Sequence, residues 1–165
     1  MADAVDVTDN AAEQAPGLIR RARLDDAAAI LALEAIFPSD RMTIRSIRRF
    51  LRVPSASVWI AERDGSVVGN LIWLRRAGSR AARIYSVVVA PEARGLKLAQ
   101  RMIAAMESDA ANAGCTTATL EVRADNAAAR SLYARLGYAE TRTLPGYYDD
   151  GADGLRLEKA LLPAR

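Results

Sequence analysis

The spacing of apolar positions changes several times along the chain, and each change marks an element. Leu18 to Arg23 reads as a short first strand. Ile30, Leu33 and Phe37 then fall on one face of a helix that Asp25 or Asp26 can cap, and Pro38-Ser39-Asp40 breaks it. Thr43 can cap a second helix over 44–52. Its inner face is Ile44, Ile47 and Leu51, and Arg45, Arg49 and Arg52 face out. The period drops to two in Ser57–Arg63 and Val67–Arg75, two strands joined by Asp64-Gly65, a strong hairpin signal. Trp59 and Trp73 are expected to pack within them. After a turn at Ala77–Ala82, Ile84–Ala90 is an apolar, β-branched run that Pro91 stops, as in a buried strand.

A helical pattern opens at Arg94 and Gly95, with Leu98, Met102 and Met106 at four-residue steps and Ala99 and Ile103 beside them. Gly114 stops it. Cys115–Arg123 is the next strand, with Leu120 and Val122 on one face and Thr119, Glu121 and Arg123 on the other. Asp125 or Asn126 caps a helix over 127–136 with Ala129, Leu132, Tyr133 and Leu136 inward and Gly137 as its stop. Residues 138–144 and 154–162 close the chain as a hairpin around an aromatic connection, Pro145–Gly151.

A strand, a helix and a second strand imply a parallel pair with a right-handed crossover, so 115–123 should lie beside 84–90. Ligands of open α/β sheets bind beyond the carboxyl ends of such strands. The turn at Arg94 sits at that end. Unbonded N–H groups there, with the charges of Arg94 and Lys97, suit a phosphate.

The 165 residues, about half of them hydrophobic, suit one domain with a proper core. The first sixteen read instead as a disordered acidic tail, which leaves the domain over 17–165. That tail carries Asp3, Asp6, Asp9 and Glu13 and no basic residue, so the net charge of +3 places about +7 on the remainder. A basic body suits an anionic ligand or an acidic partner. With no histidine and one cysteine, Cys115, the chain has no Ser-His-Asp or Cys-His chemistry, no internal disulfide and no clustered thiolate site, so no metal is expected. No apolar run reaches membrane-spanning length and no leader pattern opens the chain, so a cytoplasmic protein is expected. No nucleic-acid-binding signature appears. The arginines from Arg45 to Arg52 are either a solvated face or a docking surface for a partner such as the ribosome.

Three segments carry a family likeness. Arg94-Gly95-Leu96-Lys97-Leu98-Ala99 resembles the pyrophosphate loop of the GNAT acetyltransferases, Q/R-x-x-G-x-G/A, with Lys97 where the middle glycine is expected. Leu120 to Tyr133 is similar to the L-E-V-R-x-x-N-x-x-A-x-x-L-Y segment of protein N-terminal acetyltransferases, above all the ribosomal-protein-alanine group. Tyr147 to Leu155 resembles their Y-Y-x-D-G-x-D-A-L hairpin. The likeness implies a single α+β domain: a mixed sheet of about seven strands, made of an antiparallel meander, a parallel central pair and a closing hairpin, with about four helices. It implies acetyl-CoA as the acetyl donor. Val87, Val88 and Val89 would bond the acetyl-pantetheine arm, and Arg94 with Gly95, Leu96, Lys97, Leu98, Ala99 and Gln100 would hold the diphosphate. Asn126 would touch the arm, Glu121 would be the general base and Tyr133 the general acid. Phe37, Arg41, Tyr147 and Tyr148 would wall the acceptor slot.

Elementary chemistry bears on these roles. An amine attacks a thioester only when unprotonated. At pH 7 deprotonation costs about 1 kcal/mol for a peptide α-amine and about 4.6 for a lysine. One carboxylate, with or without a water, is adequate help for the first, which favours a protein N-terminus, a ribosomal protein's among them, as acceptor. Full proton transfer from an ordinary tyrosine to a thiolate is uphill by about 2 kcal/mol, so Tyr133 chiefly donates a hydrogen bond unless its pKa is lowered. Other readings stay open: a small-molecule amine or a lysine side chain as acceptor, or a module that binds CoA without turnover. Glu121 either acts as the base or pairs with Arg123 or another arginine.

Overall fold

The computed structural model describes residues 17–37 and 42–163. The acidic tail and Arg41 lie outside the described residues. Seven strands form one sheet: β1 (Leu18–Arg21), β2 (Ala56–Arg63), β3 (Ser66–Leu74), β4 (Ala81–Val89), β5 (Thr117–Arg123), β6 (Ala139–Leu144) and β7 (Gly154–Ala160). Their order is β1-β2-β3-β4-β5-β7-β6. All neighbours are antiparallel except β4 and β5, the parallel pair expected of the crossover. Four helices, α1 (Ala27–Glu34), α2 (Ile44–Arg52), α3 (Leu98–Asn112) and α4 (Ala127–Arg135), complete a single α+β domain among the described residues. None of them is long and apolar enough to cross a membrane.

Local chemistry explains most boundaries. Asp64 and Gly65 both have positive φ, 51° and 78°, as a tight two-residue hairpin turn requires. Thr43 Oγ1 accepts from the Ser46 N–H at 3.1 Å while Ser46 Oγ accepts from the Thr43 N–H at 3.0 Å, a reciprocal box that starts α2. Asp26 departs from expectation. Its side chain makes no bond into α1. It reaches back to the Arg23 N–H at 2.6 Å, around a short 3₁₀ turn, and receives both terminal nitrogens of Arg20 at 2.9 Å. The helix predicted to open at Arg94 begins only at Leu98, because Pro91–Ala93 first makes a 3₁₀ turn and Lys97 then sits in the left-handed region. Helix α1 ends at Glu34, before Phe37.

The sheet separates two cores. One lies under α3 and α4, where Leu98, Met102, Ile103, Met106 and Tyr133 meet Leu71, Trp73, Leu120 and Leu157. The other lies under α1 and α2, where Ile30 and Ile47 meet Val58, Ile60 and Ile72. This second core takes no residue from β5, β6 or β7. Gly69 of β3 lets α3 lie close: a Cβ there would stand 3.0 Å from Met102 Cε and 3.2 Å from the Val88 carbonyl. Trp59 and Trp73 do pack in the meander, and both indoles donate to Asp109 Oδ2 of α3, at 3.2 and 3.1 Å. Cys115 is buried and free.

Candidate active site

The two central strands part. Ladder bonds join β4 to β5 only from Ala81–Thr117 to Arg83–Thr119. A bulge lies just beyond: Ile72 pairs with Ser86 and Trp73 with Ile84, so Tyr85 is an extra residue in β4. Such a bulge bends and twists its strand. From there the edges of β4 and β5 face one another across a crevice of about 370 Å³.

The crevice gathers most residues singled out from the sequence. Val87, Val88, Glu121, Asn126 and Tyr133 line it, and Phe37, Tyr147 and Tyr148 stand at its walls. Val89 does not line it; it pairs with Gly69 of β3. Asn126 Oδ1 caps α4 by accepting the Ala129 N–H at 3.0 Å, which leaves its amide NH₂ for a second contact. Tyr147 and Tyr148 meet edge to face, with ring centroids 5.1 Å apart. Gly154 makes room for them, since a Cβ there would lie 3.1 Å from the Tyr147 ring.

Arg94 to Gln100 stand apart, beyond the carboxyl end of β4. Leu98 is a core residue, 2 % exposed, so only its backbone faces the turn. Lys97 is exposed, with φ 57° and ψ 29°, and caps α3 with no side-chain bond. The first amides of α3 therefore lack both an intrahelical and a capping acceptor, the condition of an anion seat. Gly95 has φ 83° and open space where a side chain would go. Neither Lys97 nor Leu98 lines the crevice. The turn and the crevice together fit a diphosphate followed by an extended arm.

Glu121 lies inside the crevice with its side chain 7 % exposed. Arg83 Nε donates to Oε2 at 3.1 Å and a terminal nitrogen of Arg156 donates to Oε1 at 3.0 Å. Arg123 is not its partner; that guanidinium binds Asp125 and Asp150. A carboxylate offers about four lone-pair sites, so each oxygen of Glu121 can accept once more. Tyr133 packs edge-on against Tyr138, centroids 5.4 Å apart. Burial pushes the Tyr133 phenol well above its ordinary range, so it stays protonated.

Glu34 was not picked out by the sequence pattern. It is 8 % exposed and lines the same crevice. Ser86 Oγ and Asn70 Nδ2 both donate to its Oε1, at 2.7 and 3.0 Å. No cation pairs with it among the described residues. A signal did exist: Glu34 lies four residues after Ile30, so it interrupts an otherwise apolar helix face.

Comparison with known proteins agrees with this geometry. Residues 24–138 match the model of the acetyltransferase (GNAT) family, and the chain belongs to that family. An N-alpha-acetyltransferase of Sulfurisphaera tokodaii is 28 % identical over 154 residues, covering 87 % of this chain and 92 % of that protein. An uncharacterized N-acetyltransferase of Methanocaldococcus jannaschii is 37 % identical over 102 residues, and the match spans 61 % of this chain and 64 % of that relative. Among solved structures, Ard1 of Thermoplasma volcanium superposes with a TM-score of 0.80 at 25 % identity, covering 89 % of this chain and 99 % of that one. The ribosomal-protein-S18-alanine N-acetyltransferase of Escherichia coli superposes at 0.79 over 90 % and 96 % of the two chains, at 21 % identity, a likeness of fold. The protein is a GNAT-type N-acetyltransferase, and acetyl-CoA is the acetyl donor of that family.

Proposed function

We propose that the acceptor is the α-amine of a protein N-terminus and that the enzyme works in the cytoplasm. One observation carries the site assignment: Glu121, Arg83 and Tyr147 line two cavities at once. One is the crevice between β4 and β5; the other is a larger groove on the α2 side of the sheet. Glu121 thus stands between the space for the donor and the space for the acceptor. The relatives named as N-alpha-acetyltransferases support the choice of amine.

The donor supplies an acetyl thioester. The amine nitrogen bonds to its carbonyl carbon, the C–S bond breaks, and the electron pair leaves on sulfur. Glu121, through a free lone pair or a water, takes the proton the amine loses. Arg83 and Arg156 hold the Glu121 carboxylate in place. The N–H groups along the open edge of β4 are placed to stabilise charge on the carbonyl oxygen. Tyr133, kept neutral by burial, donates a hydrogen bond toward the departing sulfur. The Arg94–Gln100 turn holds the diphosphate and Asn126 the arm. Glu34 faces the donor crevice, where it accepts hydrogen bonds from Ser86 and Asn70.

The test is thiol release from acetyl-CoA with N-terminal peptides, lysine peptides with blocked termini, and polyamines. Turnover of free-amine peptides alone is expected. Turnover of a small amine with no peptide activity refutes the proposal. Glu121→Gln should lower kcat by about 10²- to 10⁴-fold with CoA affinity kept.

A further inference from the structure

The acceptor groove has a charge of its own. It encloses about 840 Å³ between α2, the β3–β4 turn and the helix-free face of β5 and β7. Arg49, Arg75, Arg76, Arg83 and Arg156 line it together with Glu121 and Glu158. Three of the five arginines already have work. Arg83 and Arg156 hold Glu121, and Arg75 donates to the Ala113 carbonyl. Arg49 of α2 and Arg76 of the turn form no ion pair among the described residues. They border one concave space from different elements. Arginines scattered on a convex helix are only solvated, whereas guanidinium forks that converge on a groove match carboxylates.

Resting on the reading of the site as an N-terminal acetyltransferase, we infer that the preferred acceptor is a protein N-terminus with aspartate or glutamate among its first few residues. With the amine beside Glu121, an extended chain places its second to fourth residues within about 10 Å, at 3.3–3.6 Å per residue. That reach extends down the groove toward the Arg49 and Arg76 end. The donor's own phosphates do not explain the charge. The groove borders the start of β4, at Ala81 and Arg83, whereas the proposed diphosphate seat follows its end, about 26 Å away at 3.3 Å per residue.

The test uses the full chain, saturating acetyl-CoA and three peptides of equal length that share the first residue. They continue with acidic, neutral or basic residues. The acidic peptide should exceed the neutral one by at least about ten-fold in kcat/KM, mostly through KM, with the basic peptide poorest. The advantage should shrink in high salt. Arg49→Glu with Arg76→Glu should reverse the order, and the milder Arg49→Ala with Arg76→Ala should flatten it. CoA affinity measured by calorimetry should not change in either double variant. Equal turnover of all three peptides overturns the inference and leaves the N-terminal reading intact. So does an acidic preference that survives both double variants. Turnover of no peptide, with a small amine consumed, overturns the reading and the inference together.

Discussion

The two halves of the sheet obey different rules. Strands β2 and β3 are covered on both sides, by α3 on one and α1 and α2 on the other, whereas β4, at the seam, leaves Arg83 and Tyr85 exposed on one face. β3 is buried almost from end to end and reads Ser-Val-Val-Gly-Asn-Leu-Ile-Trp-Leu. Strands β5, β7 and β6 have helices on one side only. Along β5 burial alternates strictly, with Ala118, Leu120 and Val122 inside and Thr119, Glu121 and Arg123 on the open face. The first half is therefore a scaffold whose residues are chosen by packing. The second keeps one face free for charge, and that face carries Glu121. Where they meet, the ladder opens and the crevice forms.

Substitutions on either side of that boundary should have opposite signatures. Met102 is fully buried in α3, against Gly69 of the scaffold half. Met102→Ala leaves a cavity and should cost about 2–5 kcal/mol of stability. Thermal and denaturant unfolding would show it, with turnover of the folded fraction little changed. Glu121→Gln should do the reverse and move turnover far more than stability. A Met102→Ala enzyme of normal stability, or a Glu121→Gln enzyme that fails to fold, would erase the distinction between scaffold and site.

The same difference sets how much the sequence reveals. The scaffold was legible from its residues alone: apolar runs, Asp64-Gly65, the Thr43 cap and the strand-helix-strand crossover all found their places. The site was read mainly through its likeness to the family, because alternation can put a polar residue on an open face without saying what it meets there. Alternation put Glu121 on the open face but not between Arg83 and Arg156, since Arg156 comes from β7, thirty-five residues on. Glu34, on α1, escaped because its partners Asn70 and Ser86 belong to β3 and β4, far along the chain. The helix start was misplaced by four residues because a left-handed lysine leaves no trace in hydrophobic spacing.

Tyr133 and Tyr138 lie on the buried side of the site half and sharpen the comparison through pH. Burial raises both phenols, and for Tyr138 the Glu107 carboxylate and Tyr133 add to it. An unfolded tyrosine ionises near pH 10. Above that the unfolded chain binds fewer protons than the folded one, so stability falls as pH rises. Each phenol should remove about 1.4 kcal/mol at pH 11. Their stabilising effect is complete below pH 10. Followed at the tyrosinate absorbance, two groups should ionise only as the fold is lost. Their titration in the native state would mean that water reaches this core.

The smallest effect belongs to Lys97, which closes the scaffold half where the family pattern expects glycine. A left-handed conformation costs an L-residue roughly 1–2 kcal/mol. Lys97→Gly removes that strain but adds about 0.4–1 kcal/mol of chain entropy to the unfolded state. The net is a gain of about 0–1.6 kcal/mol, visible as a small rise in Tm. The lysine already holds the backbone shape that a glycine would supply, and its exposed side chain fills no part of the crevice. Its loss should therefore act through charge alone. CoA affinity should drop by roughly two- to five-fold at low salt, the range of one exposed charge near a helix N-terminus, and by nothing measurable at high salt. Tighter binding by the glycine variant would show instead that the lysine crowds the phosphate. The loop would then belong with the packed scaffold rather than with the charged site.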